Sequence, residues 1–117
     1  MSDLAELIAR INSFAAERDW DQFHSPKNLS MALIAEAAEL VEHFQWLTVE
    51  QSYELPDENL AEVRLELADI FIYLLRMSDR LGVDLVQAAN QKISLNEQKY
   101  PVDQVKGSSK KHNEYKN

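Results

Sequence analysis

Cysteine is absent from this 117-residue chain, which excludes a disulfide framework and thiolate chemistry and suits a reducing cytoplasm. Glycine and proline are scarce, two and three residues, while Ala, Leu, Glu and Gln abound. These residues lose little rotamer freedom in a helix, so the expected fold is all-α. Positive charge is also short. Twelve Lys and Arg stand against twenty Asp and Glu, a formal net charge of -8. Such a balance argues against a binder of nucleic-acid polymers, because neutralising phosphates takes clustered cations. An anionic small ligand would then need a metal cation as mediator. No long apolar run exists: Ile70 to Leu75 is the longest, far below the ~20 residues of a membrane span. The opening MSDLAELIAR carries early acids and does not resemble a secretory signal. The expectation is a cytoplasmic protein with no membrane partner.

What is present is helical periodicity. Leu4, Leu7, Ile8, Ile11 and Phe14 recur at helical spacing behind the caps Ser2 and Asp3, and the pattern fades at Arg18 to Asp21. After the connector WDQFH, Ser25 and Pro26 read as cap and first-turn proline of a helix running to about Leu47. A polar link with Pro56 precedes a helix from about Glu58 to Leu81, stopped by Gly82. A fourth begins near Asp84 and ends before Pro101. Residues 1–102 thus read as one domain, and 103–117 as a polar, flexible tail.

The second and third of these helices share a weak internal repeat. Glu36, Glu39, Leu40, Val41 and His43 match Glu66, Asp69, Ile70, Phe71 and Tyr73, at an offset of 30 residues. Each helix therefore carries two carboxylates three residues apart at the edge of an apolar arc. Acidic pairs on amphipathic helices usually face solvent. Duplication in register, beside the stripe instead of opposite it, is not what a solvated face needs. If the two helices pack antiparallel, four carboxylates converge, and such an all-oxygen set suits Mg²⁺ or Mn²⁺. A di-iron bundle is the rival, but it needs Glu-x-x-His, and His43 falls four residues after Glu39.

EAAEL at 36–40 and ELADI at 66–70 resemble the E-x-x-E … E-x-x-D signature of the MazG-like, all-α nucleoside triphosphate pyrophosphohydrolases. FAAERDWDQFHSPKNLSMAL, FQW, LADIFIYL and KISLNEQKYP are similar to the dCTP pyrophosphatase branch, over about Leu4 to Pro101. The resemblance implies a four-helix-bundle module of that type, assembled as a homotetramer, a dimer of dimers with sites completed across subunits. It implies cleavage of a nucleoside triphosphate, dCTP or a modified dCTP, into monophosphate and pyrophosphate, as nucleotide-pool house-cleaning.

In that setting Glu36, Glu39, Glu66 and Asp69 would hold Mg²⁺, with Glu39, and Glu36 beside it, serving the attacking water. Trp20, His24, Trp46 and Tyr73 would surround the base, and Lys92, Asn96, Lys99 and Tyr100 would contact the triphosphate. Their spacing puts the first three of that last group on one helical face. Lys99 stands where relatives often carry arginine, and a lysine grips phosphate as a point charge without the bidentate fork. Asn12, Arg76 and Arg80 are left unplaced. Alternatives are dUTP or broad nucleotide specificity, a non-catalytic Mg-nucleotide-binding module, and a purely structural or partner-binding helical bundle.

Overall fold

A computed structural model describes residues 2–108, and these are helical without a strand. The last part of the expected tail, 109–117, lies outside the described residues. Four long helices carry the fold: α1 (Asp3–Glu17), α2 (Pro26–Glu42), α4 (Asp57–Arg80) and α5 (Leu85–Lys99). A 3-10 turn (Asp21–Phe23) lies between α1 and α2, a one-turn helix α3 (Val49–Ser52) between α2 and α4, and a one-turn helix α6 (Val102–Val105) follows α5. None of the described helices is long and apolar enough to cross a membrane. Two compact units divide at Val83 and Asp84.

The helix starts follow the caps. Ser2 accepts from the Ala5 N–H, Ser25 from Asn28 with Pro26 in the first turn, and Asp84 from Gln87. Each hydroxyl or carboxylate satisfies a donor that the first helical turn leaves orphaned. The ends of α1 and α4 are alike. In each, the residue after the C-cap is left-handed, Asp19 at φ 54 and Gly82 at φ 69. The Trp20 N–H then reaches Ala15 O and the Val83 N–H reaches Ser78 O, while Asp19 and Gly82 themselves donate to Ala16 O and Asp79 O. Both are Schellman closures, one built on the glycine the geometry favours and one on an aspartate. Asp19→Gly is therefore expected to stabilise the chain by about 0.5–1 kcal/mol in urea unfolding, whereas Gly82→Ala should cost about 1 kcal/mol or more.

α2 ends at Glu42, five residues before the expected Leu47. Backbone donors at His43 and Phe44 switch to the i−3 carbonyls of Leu40 and Val41. The chain then enters α3, where Thr48 and Gln51 form a reciprocal capping box. Phe44, Gln45 and Trp46 thus sit in a turn, and no helix holds the indole at a set distance from Glu36.

In the unit up to Val83, α1 and α2 pack against α4. Its buried apolar core is small: Ala15, Leu29, Val63 and Leu75. His43 on the last turn of α2 lies beside Glu62 and Glu66, whereas Glu36, two turns earlier, shares its surroundings with Glu66 and Asp69. Rising numbers on one helix meet falling numbers on the other, so α2 and α4 run antiparallel.

Candidate functional site

Antiparallel packing turns the two acidic pairs toward each other. Carboxylate oxygens of Glu36, Glu39 and Glu66 lie within 4.8 Å of one another. Asp69 stands outside that tight trio, yet its charge acts on both Glu36 and Glu66. Glu39 and Asp69 are exposed, while Glu36 and Glu66 are half-buried.

The electrostatics are unfavourable as they stand. Burial, followed by the neighbouring charge of Glu39 and then that of Asp69, pushes the Glu36 carboxyl up to about 7. Burial and Glu39 push Glu66 up as well. One oxygen of each, Glu36 Oε2 and Glu66 Oε2, is buried with no hydrogen-bond partner among the described residues. Ionised carboxylates only accept, so these groups can satisfy each other solely by sharing a proton. Orphaned, inward-facing oxygens on like-charged groups fit a hard divalent cation, which prefers all-oxygen ligands. The donor set fits Mg²⁺ or Mn²⁺, and nothing in it selects between the two.

Glu36 and Asp69 also line a cavity of about 240 Å³ whose lining includes Trp20, His24 and Tyr73. Phe14 braces Trp20 edge-on, with ring centroids 5.6 Å apart at 72°. The His24 ring tilts against Trp20 at 6.2 Å and 57°. At this volume the cavity is below the ~300–1,000 Å³ that takes a whole small ligand, so it suits one flat ring of a larger molecule. Three of the four residues read as base contacts thus meet beside the acids.

The fourth does not. Trp46 is 86% exposed and lines none of this cavity. Lys92, Asn96, Lys99 and Tyr100 belong to the second unit: the first three lie on α5, and Tyr100 is its C-cap. Asn96 and Tyr100 are half-buried, Lys92 and Lys99 exposed.

Two side chains take places that the sequence reading left empty. His43 Nε2 stands 3.9 Å from Glu66 Oε1, and its Nδ1 stands 3.8 Å from Glu62 Oε2, an ion pair only when the ring is protonated. Arg76, 4% exposed, lines the cavity and bonds Asn12, Asp21 and His24. Its signal was spacing: Asp69, Tyr73, Arg76 and Arg80 recur at four, three and four residues, one helical stripe.

An antiparallel helix pair presenting carboxylates beside an aromatic slot defines an all-α protein suited to a hard cation and a planar ligand. A family model described as the MazG-like family matches residues 32–115, and the chain belongs to that family. Among curated proteins it is similar to dCTP pyrophosphatase 1 of Mus musculus, 44% identical over 110 residues, covering 92% of this chain and 65% of the relative. The Homo sapiens protein of the same name is 43% identical over 114 residues, covering 93% and 66%. The chain thus spans just under two-thirds of the length of the curated relatives it matches. Among solved structures, a pyrophosphatase from Archaeoglobus fulgidus superposes with a TM-score of 0.82 at 35% identity, covering 86% of this chain and 94% of the other.

Proposed function

We propose that the chain is a metal-dependent nucleoside triphosphate pyrophosphohydrolase that releases a monophosphate and pyrophosphate, with dCTP or a modified dCTP as preferred substrate. The observation that carries this reading is the shared cavity: Glu36 and Asp69 line the same 240 Å³ space as Trp20, His24 and Tyr73. Relatives named dCTP pyrophosphatase 1, similar over nine-tenths of the chain, support the choice of substrate.

Glu36, Glu39, Glu66 and Asp69 hold Mg²⁺, with Mn²⁺ as substitute. When bound, such a cation polarises phosphoryl oxygens and acidifies water. The rest falls to the chain's own groups. Trp20 stacks on the base, an interaction of roughly 1–3 kcal/mol in comparable sites, while Tyr73 and His24 close the slot. Glu39, exposed at the edge of the acid cluster, orients the attacking water and takes its proton, with Glu36 beside it. Lys92, Asn96, Lys99 and Tyr100 of the second unit are the triphosphate contacts that the resemblance implies, the two lysines supplying the charge. Lys99 contributes charge without a bidentate fork.

With this activity goes the oligomeric four-helix-bundle architecture of the resemblance, as a dimer of dimers in a cytoplasmic setting. The small core supports it, as does the exposure of Ile34 and Leu65, 68% and 69%. Trp46 then meets the base of a site completed by another subunit. The test of substrate choice is a panel of nucleoside triphosphates assayed at equal concentration with Mg²⁺. The highest kcat/KM is expected for dCTP or its 5-modified forms; equal rates on purine nucleotides would contradict that choice.

Trp20→Ala should raise KM roughly tenfold or more, from the lost stacking. Trp46→Ala should also raise KM and relax base preference, with stability unchanged within about 0.5 kcal/mol because the ring is exposed. An unchanged substrate profile would make Trp46 an ordinary surface residue.

A further inference from the structure

Arg76 is the most deeply buried charged side chain among the described residues, and its hydrogen bonds all go to the segments flanking the cavity. Nη1 donates to Asn12 Oδ1 at 2.6 Å, Nη2 to Asp21 Oδ1, and Nε to His24 Nδ1 at 3.2 Å. One turn on, Arg80 donates to the backbone carbonyls of His24 at 3.1 Å and Asp21 at 2.6 Å. Two arginines of α4 therefore clip the 3-10 turn, and with it the ring of His24, to the cavity wall.

A guanidinium has five donors, no acceptor, and does not give up its proton in proteins. The nitrogen it meets must offer a lone pair. Resting on the reading of the cavity as a base site, we propose that Arg76 is a positioning residue. By donating to His24 Nδ1 it holds the ring neutral, with its hydrogen on Nε2, as a fixed donor toward an acceptor on the base. That acceptor would be a carbonyl oxygen or an unprotonated ring nitrogen.

Three further observations agree. A second ring proton would have to sit on Nδ1, facing the Arg76 N–H. Burial, followed by the charges of Arg76 and Arg80, holds the His24 ring below its usual range, with Asp21 opposing. Nε2 has no partner among the described residues, so this donor remains available to a ligand. A merely structural clip would leave the tautomer without consequence for substrate. A positioning role ties it to KM.

The test is nitrogen-15 imidazole NMR on the full-length, substrate-free chain, with His24 assigned through His24→Asn, alongside dCTP kinetics. In the wild type, His24 is expected as the neutral Nε2–H tautomer at pH 7. Arg76→Met should free Nδ1 and shift the ring toward Nδ1–H. It should also raise KM for dCTP roughly tenfold, the cost of one misdirected hydrogen bond, with kcat nearly unchanged. Arg76→Lys, which keeps a donor, should restore both the tautomer and most of KM.

An Nδ1–H or doubly protonated His24 in the wild type would overturn the proposal even if Arg76→Met does not fold. So would an unaltered tautomer in Arg76→Met, or an unaltered KM beside a shifted tautomer. Because the tautomer is read without substrate, failure of the pyrophosphohydrolase reading would show in wild-type turnover and leave the spectrum standing.

Discussion

Glu36→Gln is expected to abolish turnover, with kcat down at least about a hundredfold, while helical content stays unchanged. Burial, then the charges of Glu39 and Asp69, push the Glu36 carboxyl up to about 7, and one of its oxygens is buried without a partner among the described residues. Glutamine keeps the shape and removes the charge a divalent cation would neutralise. Without metal at pH 8, the same substitution should raise the melting temperature by a few degrees, because a neutral amide replaces a carboxylate crowded by Glu39 and Asp69. Activity and metal-free stability then move in opposite directions, which a merely misfolded variant would not show. Asp69→Asn should likewise stop turnover. Full activity in either variant would refute the metal assignment.

Metal-free protein should lose stability as pH rises. In the unfolded chain Glu36 releases its proton near 4.5, whereas in the folded chain it holds it up to about 7. Between those values the folded state binds the extra proton. Its stabilising contribution is therefore complete below about 4.5 and lost as pH climbs through 7. Glu66 shifts in the same direction and adds to the effect. A divalent cation competes with those protons, so it should stabilise little at pH 5 and strongly at pH 8. At a hundredfold excess over Kd the gain is about 2.7 kcal/mol, or ~10 °C in melting temperature for a domain of this size. Differential scanning calorimetry with Mg²⁺ or EDTA at both pH values measures it. An equal Mg²⁺ effect at pH 5 and 8 would detach the cation from these carboxylates.

Much of this was legible in residues with local meaning. Ser2, Ser25 and Asp84 mark helix starts because each side chain satisfies an orphan N–H, and Gly82 marks the end of α4 because φ 69 suits a residue without Cβ. The thirty-residue echo between EAAEL and ELADI foretold facing acidic edges, and Glu36, Glu39 and Glu66 converge. The end of α2 was not legible. HFQWL contains no glycine or proline to mark the break, and the Thr48 and Gln51 capping box lies beyond it, where it secures the start of the next turn only once the chain has left the helix. That difference moves Trp46 from the cavity wall to the surface. Asp19 was hidden for a related reason, since an aspartate in the left-handed region carries no mark that distinguishes it from a surface acid. For Arg76 the helical stripe it shares with Asp69 and Tyr73 was legible, but its partners Asn12, Asp21 and His24 were not, because they lie 52 to 64 residues away in sequence.

The most direct test of the acid cluster as a pyrophosphohydrolase centre is phosphorus NMR of the products from dCTP, with Mg²⁺ and again with EDTA. dCMP and pyrophosphate in equal amounts, lost with EDTA, are the expected result. Orthophosphate with dCDP, or turnover indifferent to EDTA, would contradict it.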